Sequence, residues 1–229
     1  MRRPDPATVW LFDLDDTLHD AGAWVFGELH RAMGEYVQRV SGLAPEPARQ
    51  LARHYWHRYG STLQGLVRHH GVEPAHFLHA THRLPGLEQR VAGHRHDFAA
   101  LARLPGTKLV LTNAPRAYAQ RVLRALRIER LFDGLIAIED MAMFGQLRPK
   151  PDARMLRALA AELGVAPTRC VLVEDTLAHQ KAARAVGMGT VWMQRYARRR
   201  RGIGPTVTRW AMRPPYVDRI VRRLAALRR

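Results

Sequence analysis

Short apolar runs alternate with segments of helical spacing along most of the chain. Five runs are apolar and strand-prone, as expected of buried strands: residues 8–12, 108–112, 135–138, 170–173 and 190–193. The segments between them that repeat apolar positions as amphipathic helices do are residues 115–127, 151–163 and 178–186. This alternation is typical of a parallel sheet covered by helices on both faces. The pattern therefore predicts an α/β fold in which helices flank a parallel sheet.

The long segment between the first two predicted strands has a different character. Residues 21–98 keep helical spacing and contain no strand-like run. Ligands of open parallel sheets bind outside the carboxyl ends of the strands, so we expect this segment to form an inserted cap over that edge. The predicted division is a discontinuous core of residues 1–19 and 99–229, with an all-helical cap at residues 20–98.

Chemically active side chains follow the predicted strands. They share a position at or soon after the end of a strand: Asp13, Asp15, Thr112, Asn113, Lys150, Glu174 and Asp175. Because parallel strands end at one edge of a sheet, we expect these groups to converge. Crowded carboxylates repel one another and require a cation, and oxygen ligands suit Mg²⁺. Mg²⁺ beside a lysine and strand-end amides fits a phosphoryl group.

The order of these motifs is more specific than any one of them. An Asp-x-Asp-x-Thr match by itself also fits an acidic turn or a helix cap. Here it is followed by Thr-Asn, Lys-Pro and Glu-Asp in turn. With this set the chain resembles the haloacid dehalogenase-like hydrolase superfamily from Val9 to Met193. The resemblance implies a Rossmann-like core with a helical cap inserted just after the first motif.

The resemblance also implies a chemical role for each motif. Asp13 would be the nucleophile that becomes an aspartyl-phosphate, and Asp15 would protonate the leaving alcohol and then activate water. Dehalogenases of the superfamily lack this second aspartate, so its presence favours a phosphatase. Thr112 and the backbone around Asn113 would hold the phosphoryl oxygens. Lys150 would neutralise the nucleophile and the transferring group.

A magnesium site is part of the same resemblance. Mg²⁺ would be held by the Asp13 carboxylate, the backbone carbonyl of Asp15 and Asp175, with Glu174 supporting bound water. The chain departs from the pattern in one place: His179 occupies a position where relatives often carry Asn or Asp. Either its contacts are replaced, or the metal is held more weakly.

The predicted cap contains a substrate clue. Residues 57–66 resemble a segment of the pyrimidine 5′-nucleotidase-like branch, which implies a nucleoside monophosphate as substrate. Tyr59 would stack on the base, and Thr62 or Gln64 would read its polar edge. Packing of an aromatic helix face explains the same tyrosine. The alternative substrate class is a sugar phosphate or another small phosphorylated metabolite.

The charge of the chain suggests a different class of function. The net charge is +17, and only three of the 37 basic residues are lysines. Residues 195–229 carry 12 arginines and one aspartate, including the run Arg198–Arg201. This run is compatible with a nucleic-acid-associated protein, but it lacks interleaved aromatic residues, so we expect a solvated loop. Helical spacing predicts a final helix at residues 216–227.

The remaining composition restricts the environment of the protein. The chain has one cysteine, Cys170, so it forms no internal disulfide, and it has no apolar run of membrane-spanning length. We expect a cytoplasmic protein without a membrane partner. Taken together, the sequence predicts a Mg²⁺-dependent phosphomonoester hydrolase that acts on a small phosphorylated metabolite, with a nucleoside monophosphate as the leading candidate.

Overall fold

The structure is a computed structural model that describes residues 7–196 and 213–228. Its strands in chain order are β1 (Val9–Phe12), β2 (Thr107–Leu111), β3 (Gly134–Ile136), β4 (Ala142–Met143), β5 (Gln146–Leu147), β6 (Cys170–Glu174), β7 (Gly189–Met193) and β8 (Arg219–Val221). Six of them form one sheet in the order β3-β2-β1-β6-β7-β8, and all neighbours in it run parallel. The strands β4 and β5 form a separate antiparallel hairpin. The predicted α/β fold with a Rossmann-like parallel sheet is confirmed.

Nine α-helices make up most of the remaining regular structure in the described residues. In chain order they are α1 (Val25–Ser41), α2 (Pro45–Tyr59), α3 (Thr62–His70), α4 (Pro74–His82), α5 (Leu87–Arg90), α6 (Arg95–Ala102), α7 (Arg116–Ala125), α8 (Ala153–Glu162) and α9 (Leu177–Ala185). Among these helices, none has the length and hydrophobicity needed to cross a membrane.

The chain divides into two compact units. One contains Met1–Gly22 and Val91–Arg229, and the other contains Ala23–Arg90. The whole sheet and helices α6 to α9 belong to the larger unit, and helices α1 to α5 form the smaller one. The smaller unit lies within the segment expected as a cap, residues 20–98, and α6 packs in the larger unit against the turn Leu224–Arg228.

The central strand of the sheet, β1, is buried on both faces. All four residues of β1 are buried, and β1 lies between β2 and β6. Val9 and Leu11 contribute to a core cluster on one face that also contains Leu156 and Leu172. Trp10 and Phe12 stack on each other, as the alternation of side chains along a strand requires for residues two apart. Burial on both faces is what a continuous apolar strand predicts.

The smaller unit is a bundle of short helices. Helix α1 packs against α2 and α4, and α2 packs against α3. Gly65 on α3 lies directly against the ring of Tyr55 on α2, so closely that a Cβ atom would come within 2.1 Å of Tyr55 Cγ. The glycine is therefore required by the close approach of these two helices.

Two local expectations were wrong. The third predicted strand, at residues 135–138, is shorter: β3 ends at Ile136, and Ile138–Asp140 forms a 3₁₀ turn. The Asp140 carboxylate accepts a hydrogen bond from the backbone N–H of Ala137 at 2.8 Å and so stabilises this turn.

The predicted final helix at residues 216–227 is the second error. The segment instead contains β8 and a 3₁₀ turn at Leu224–Arg228. The β-branched residues Ile220 and Val221 pair with Trp192 and Met193 of β7, which satisfies backbone groups at the edge of the sheet. The run Arg198–Arg201 lies outside the described residues.

Candidate active site

A buried lysine joins two carboxylates at the carboxyl edge of the sheet. Lys150 Nζ donates hydrogen bonds to Asp13 Oδ1 at 2.7 Å, to Glu174 Oε2 at 2.7 Å and to the Leu111 carbonyl at 2.8 Å. An ammonium group has three N–H donors, so each of them has a partner. Asp13 follows β1, Leu111 ends β2 and Glu174 ends β6, so three adjacent parallel strands position the acceptors.

The backbone of Lys150 is held by the side chain of Asn113. Asn113 Nδ2 donates to the Lys150 carbonyl at 2.8 Å, and the Lys150 N–H donates to Asn113 Oδ1 at 2.9 Å. The sequence suggested that Lys150 follows a strand of the sheet. In the structure it follows the separate β4–β5 hairpin instead. This paired contact replaces a strand in bringing the lysine to the sheet edge.

Burial and charge shift the acidity of this cluster strongly. Burial, together with the charge of Glu174, raises the pKa of Asp13 to about 8 despite the nearby Lys150. Burial also raises the pKa of Asp175 well above its usual range, and the charges of Glu174 and Asp13 add to this effect. Burial opposes ionisation of Glu174, but Lys150 and His179 outweigh it and hold the pKa of Glu174 below its usual range. Asp13 and Asp175 therefore lack enough nearby positive charge to stabilise their ionised forms.

The same carboxylates fit a magnesium ion. Oxygen atoms of Asp13, Glu174 and Asp175 lie within 4.8 Å of one another, and the described residues contain no other such group of acidic, histidine or cysteine side chains. Mg²⁺ prefers oxygen ligands and commonly uses one or two carboxylates together with water and phosphate. A divalent cation would also supply the charge that the raised pKa values of Asp13 and Asp175 indicate is missing.

Glu174 is the most heavily engaged of the three. Its Oε2 atom accepts from Lys150 and lies 2.9 Å from His179 Nδ1, and its Oε1 atom accepts from the Thr176 N–H at 3.1 Å. Asp13 and Asp175 are thus better placed to contribute oxygen atoms directly. His179 contacts Glu174, which shows where the unusual residue of the fourth motif lies.

Asp15 is contacted by two residues that the sequence did not reveal. Tyr118 Oη donates to Asp15 Oδ1 at 2.6 Å, and His19 Nε2 lies 2.8 Å from the same oxygen. Tyr118 occupies a buried position of α7, and a buried tyrosine requires a partner for its hydroxyl group. Helical spacing places Tyr118 on the predicted helix at residues 115–127, but no local pattern identifies its partner.

Thr112 follows β2 and is buried. Its backbone N–H donates to the Ile136 carbonyl at 3.0 Å, and its Oγ1 atom accepts from the Ala114 N–H at 3.1 Å. The second bond uses a lone pair of the hydroxyl oxygen and not its proton. The sheet edge of the larger unit therefore brings together the seven chemically active residues expected from the sequence: Asp13, Asp15, Thr112, Asn113, Lys150, Glu174 and Asp175.

The three residues expected to contact a base lie in the smaller unit. Tyr59 Oη forms a hydrogen bond with His69 Nε2 at 2.6 Å, and Thr62 Oγ1 donates to the Ala52 carbonyl at 3.2 Å. Gln64 is exposed. Thr62 has already committed its proton, so within this unit Gln64 has the greater freedom to read a polar edge.

The six-stranded parallel sheet, with a lysine and carboxylates at its carboxyl edge, defines an enzyme built on a Rossmann-like core. The chain belongs to the haloacid dehalogenase-like hydrolase family, whose model matches residues 8–187. This confirms the superfamily indicated by the ordered motifs. The pyrimidine 5′-nucleotidase-like branch stays a prediction.

Known proteins with similar sequences include two phosphate-related relatives. Phosphate metabolism protein 8 of Saccharomyces cerevisiae is 24% identical over 200 residues, which are 82% of this chain and 62% of that protein. Fructose-1-phosphate phosphatase YqaB of Escherichia coli is 35% identical over 80 residues, which are 35% of this chain and 40% of that protein. The chain thus spans less than two thirds of the length of these relatives.

Solved structures support the fold. A HAD phosphatase from Thermococcus onnurineus matches with a TM-score of 0.61 and 20% sequence identity, over 96% of this chain and 96% of that chain. At this identity the similarity shows a shared fold.

Proposed function

We propose that this protein is a Mg²⁺-dependent phosphomonoester hydrolase that forms an aspartyl-phosphate on Asp13. The observation that carries the proposal is the buried Lys150, whose Nζ atom lies 2.7 Å from Asp13 Oδ1 at the sheet edge. A carboxylate nucleophile in a phosphate site needs a cation to offset the charge of both reactants. Lys150 meets that requirement where Asp13 is presented.

The first step transfers the phosphoryl group to the protein. A carboxylate oxygen of Asp13 attacks the phosphorus atom, and the bond between phosphorus and the ester oxygen breaks. The proton of Asp15 passes to that oxygen, so that an alcohol leaves. Asp15 is suited to this role because its side chain is 18% exposed and lies two residues after the nucleophile.

The second step hydrolyses the aspartyl-phosphate. A water oxygen attacks phosphorus while one proton of that water passes to Asp15, and the bond between phosphorus and the Asp13 oxygen breaks. Inorganic phosphate leaves, and both aspartates return to their starting states. Thr112 and the backbone around Asn113 bind phosphoryl oxygens, and Lys150 offsets the charge of the transferring group.

The metal contribution is confined to charge and orientation. When bound, Mg²⁺ supplies positive charge to the phosphoryl oxygens, and the residues that would hold it are Asp13, the carbonyl of Asp15 and Asp175, with Glu174 supporting bound water.

We further propose that residues 20–98 form the specificity cap of a core made of residues 1–19 and 99–229, and that the substrate is a nucleoside monophosphate. The support is the segment at residues 57–66, where Tyr59 would stack on a base and Thr62 or Gln64 would recognise its polar edge. Sugar phosphates are the second candidate, because one relative is named a fructose-1-phosphate phosphatase.

Two measurements test these proposals. Asp13→Asn should abolish phosphate release from 4-nitrophenyl phosphate in the presence of Mg²⁺, whereas Glu162→Gln, which changes an exposed carboxylate on α8, should leave it intact. Unchanged release by Asp13→Asn would refute the mechanism. A panel that compares UMP and CMP with purine nucleotides and sugar phosphates decides the substrate class, and a preference for fructose 1-phosphate or a flat profile would refute the nucleotidase proposal.

A further inference from the structure

We propose that Tyr118 and His19 are positioning residues that orient the carboxyl group of Asp15 for proton exchange during phosphoryl transfer. This inference rests on the proposed function, in which Asp15 first donates and then accepts a proton. It deepens that function by naming the two residues that hold this proton-exchanging group in place.

Tyr118 approaches Asp15 from α7, the helix that follows Thr112 and Asn113. It lies in the first turn of α7, and side chains of long residues in a helix point back towards its N-terminus. This direction carries the phenol towards the end of β1, where its Oη atom lies 2.6 Å from Asp15 Oδ1. Tyr118 is 1% exposed, so the surrounding core holds the ring in place.

His19 approaches the same oxygen from the segment after β1. It is fully buried, and its Nε2 atom lies 2.8 Å from Asp15 Oδ1. Within the described part of the chain, His19 Nδ1 has no hydrogen-bond partner. The tautomer that matches these surroundings carries the proton on Nε2 and donates it to the carboxylate.

Two donors on one oxygen have a chemical consequence. A carboxylate oxygen has two lone pairs in the carboxyl plane, and Asp15 Oδ1 uses both to accept from Tyr118 and His19. The same pair of bonds restricts rotation of the carboxyl group, and a small error in that orientation costs a large factor in rate.

The leaving group of the substrate offers a way to measure this positioning. The value of kcat/KM includes only the steps up to formation of the aspartyl-phosphate and loss of the alcohol. Phenolate is a poor leaving group that needs a proton, whereas 4-nitrophenolate leaves without one. Correct orientation of Asp15 should thus matter for phenyl phosphate and much less for 4-nitrophenyl phosphate.

The principal variant is Tyr118→Phe, which removes one hydroxyl group and preserves the ring. It should lower kcat/KM about tenfold to a hundredfold for phenyl phosphate and by less than about threefold for 4-nitrophenyl phosphate. His19→Leu should show the same asymmetry, and His19→Gln, which retains an amide donor near the position of Nε2, should restore part of the loss. Tyr36→Phe is the matched control, because it removes a buried tyrosine hydroxyl that forms a hydrogen bond with His76 in the smaller unit. This variant should keep the original kcat/KM for both substrates.

The outcomes separate the two proposals. If the unmodified protein releases phosphate from neither ester, the proposed function fails and the positioning role fails with it. If the unmodified protein is active but Tyr118→Phe lowers kcat/KM equally for both substrates, or for neither, the positioning role is wrong while the phosphatase function stands. Thermal unfolding of each variant shows whether an equal loss comes from unfolding.

Discussion

The Nζ atom of Lys150 lies 2.7 Å from Oδ1 of Asp13, although the two residues are 137 positions apart in the sequence. Both residues are almost completely buried, at 2% and 7% exposure for Lys150 and Asp13. Charges are taken out of water in this way only when they are paired, because the desolvation of a single charge is too costly. The pair therefore connects the stability of the core to the chemistry of its edge.

Replacement of this lysine should destabilise the protein. Lys150→Met leaves Asp13 and Glu174 without their shared partner, and loss of one member of a buried ion pair costs about 3–5 kcal/mol. Urea unfolding at neutral pH measures the change. Lys181→Met is the control: Lys181 is an exposed residue of α9, so the change should stay within about 0.5 kcal/mol. Equal stabilities for the two variants would show that the buried ammonium group is not needed.

Magnesium should stabilise the folded protein. A ligand that binds only the folded state at a concentration of 100 times its Kd adds about 2.7 kcal/mol, which thermal unfolding with and without Mg²⁺ detects as a higher midpoint. Asp175→Asn should reduce that increase, because it removes a carboxylate from the acidic group.

The Asp175 variant has a second expected property. Since burial raises the pKa of Asp175 well above its usual range, the neutral amide should change stability little when Mg²⁺ is absent. Glu162→Gln serves as the surface control and should keep the full increase with Mg²⁺. An undiminished increase in Asp175→Asn would remove Asp175 from the metal site.

Two glycine-to-alanine changes should shift the free energy of unfolding in opposite directions. Gly65→Ala places a Cβ atom within 2.1 Å of Tyr55 Cγ, so α2 and α3 must separate, at a cost of about 1–3 kcal/mol. Gly34 lies within α1 with no atom near the position of an added Cβ, so Gly34→Ala should stabilise the helix by about 0.5–1 kcal/mol. Denaturant unfolding of both variants tests this pair, and a stable Gly65→Ala protein would contradict the packing of α2 on α3.

Because of its single cysteine, the folded protein should lose stability as the pH rises through the alkaline range. Burial raises the pKa of Cys170 to about 11 from an ordinary value of 9.0. Between these values the unfolded chain ionises while the folded protein does not, so ionisation favours unfolding and stability falls as pH rises.

Cys170→Ala separates this effect from the general alkaline behaviour. The variant loses packing at every pH. The difference in unfolding free energy between the original protein and Cys170→Ala should therefore shrink as pH rises from about 9 towards 11. A difference that stays constant over this range would mean that the thiol ionises equally in both states.

The core of the fold was predictable from local pattern. Strands between two helical layers must be apolar where they are buried, and the runs at residues 9–12, 109–111, 170–173 and 191–193 meet that condition. The C-terminal segment was not predictable, because Val217, Ile220 and Val221 fit a helical spacing as well as a strand. Pairing with β7 decides between them, and the partner is distant in the sequence.

The candidate site, like the fold, was predictable from the sequence only in part. Asp13, Lys150 and Asp175 are recognisable from residue type and order, because phosphoryl transfer requires a nucleophile, a cation and metal-binding oxygens. The contacts of Asn113 with the Lys150 backbone and of Tyr118 with Asp15 are absent from any local pattern.

The sequence by itself thus determined the sheet, the family and the chemical groups at its edge, since these follow from hydrophobic periodicity and from residue types in order. Only the tertiary structure decided which side chains contact Asp15 and how Lys150 reaches Asp13 without a strand of its own. The physical reason is that hydrogen bonds between side chains depend on positions to within a few tenths of an ångström, and such positions are set by the packing of the whole larger unit.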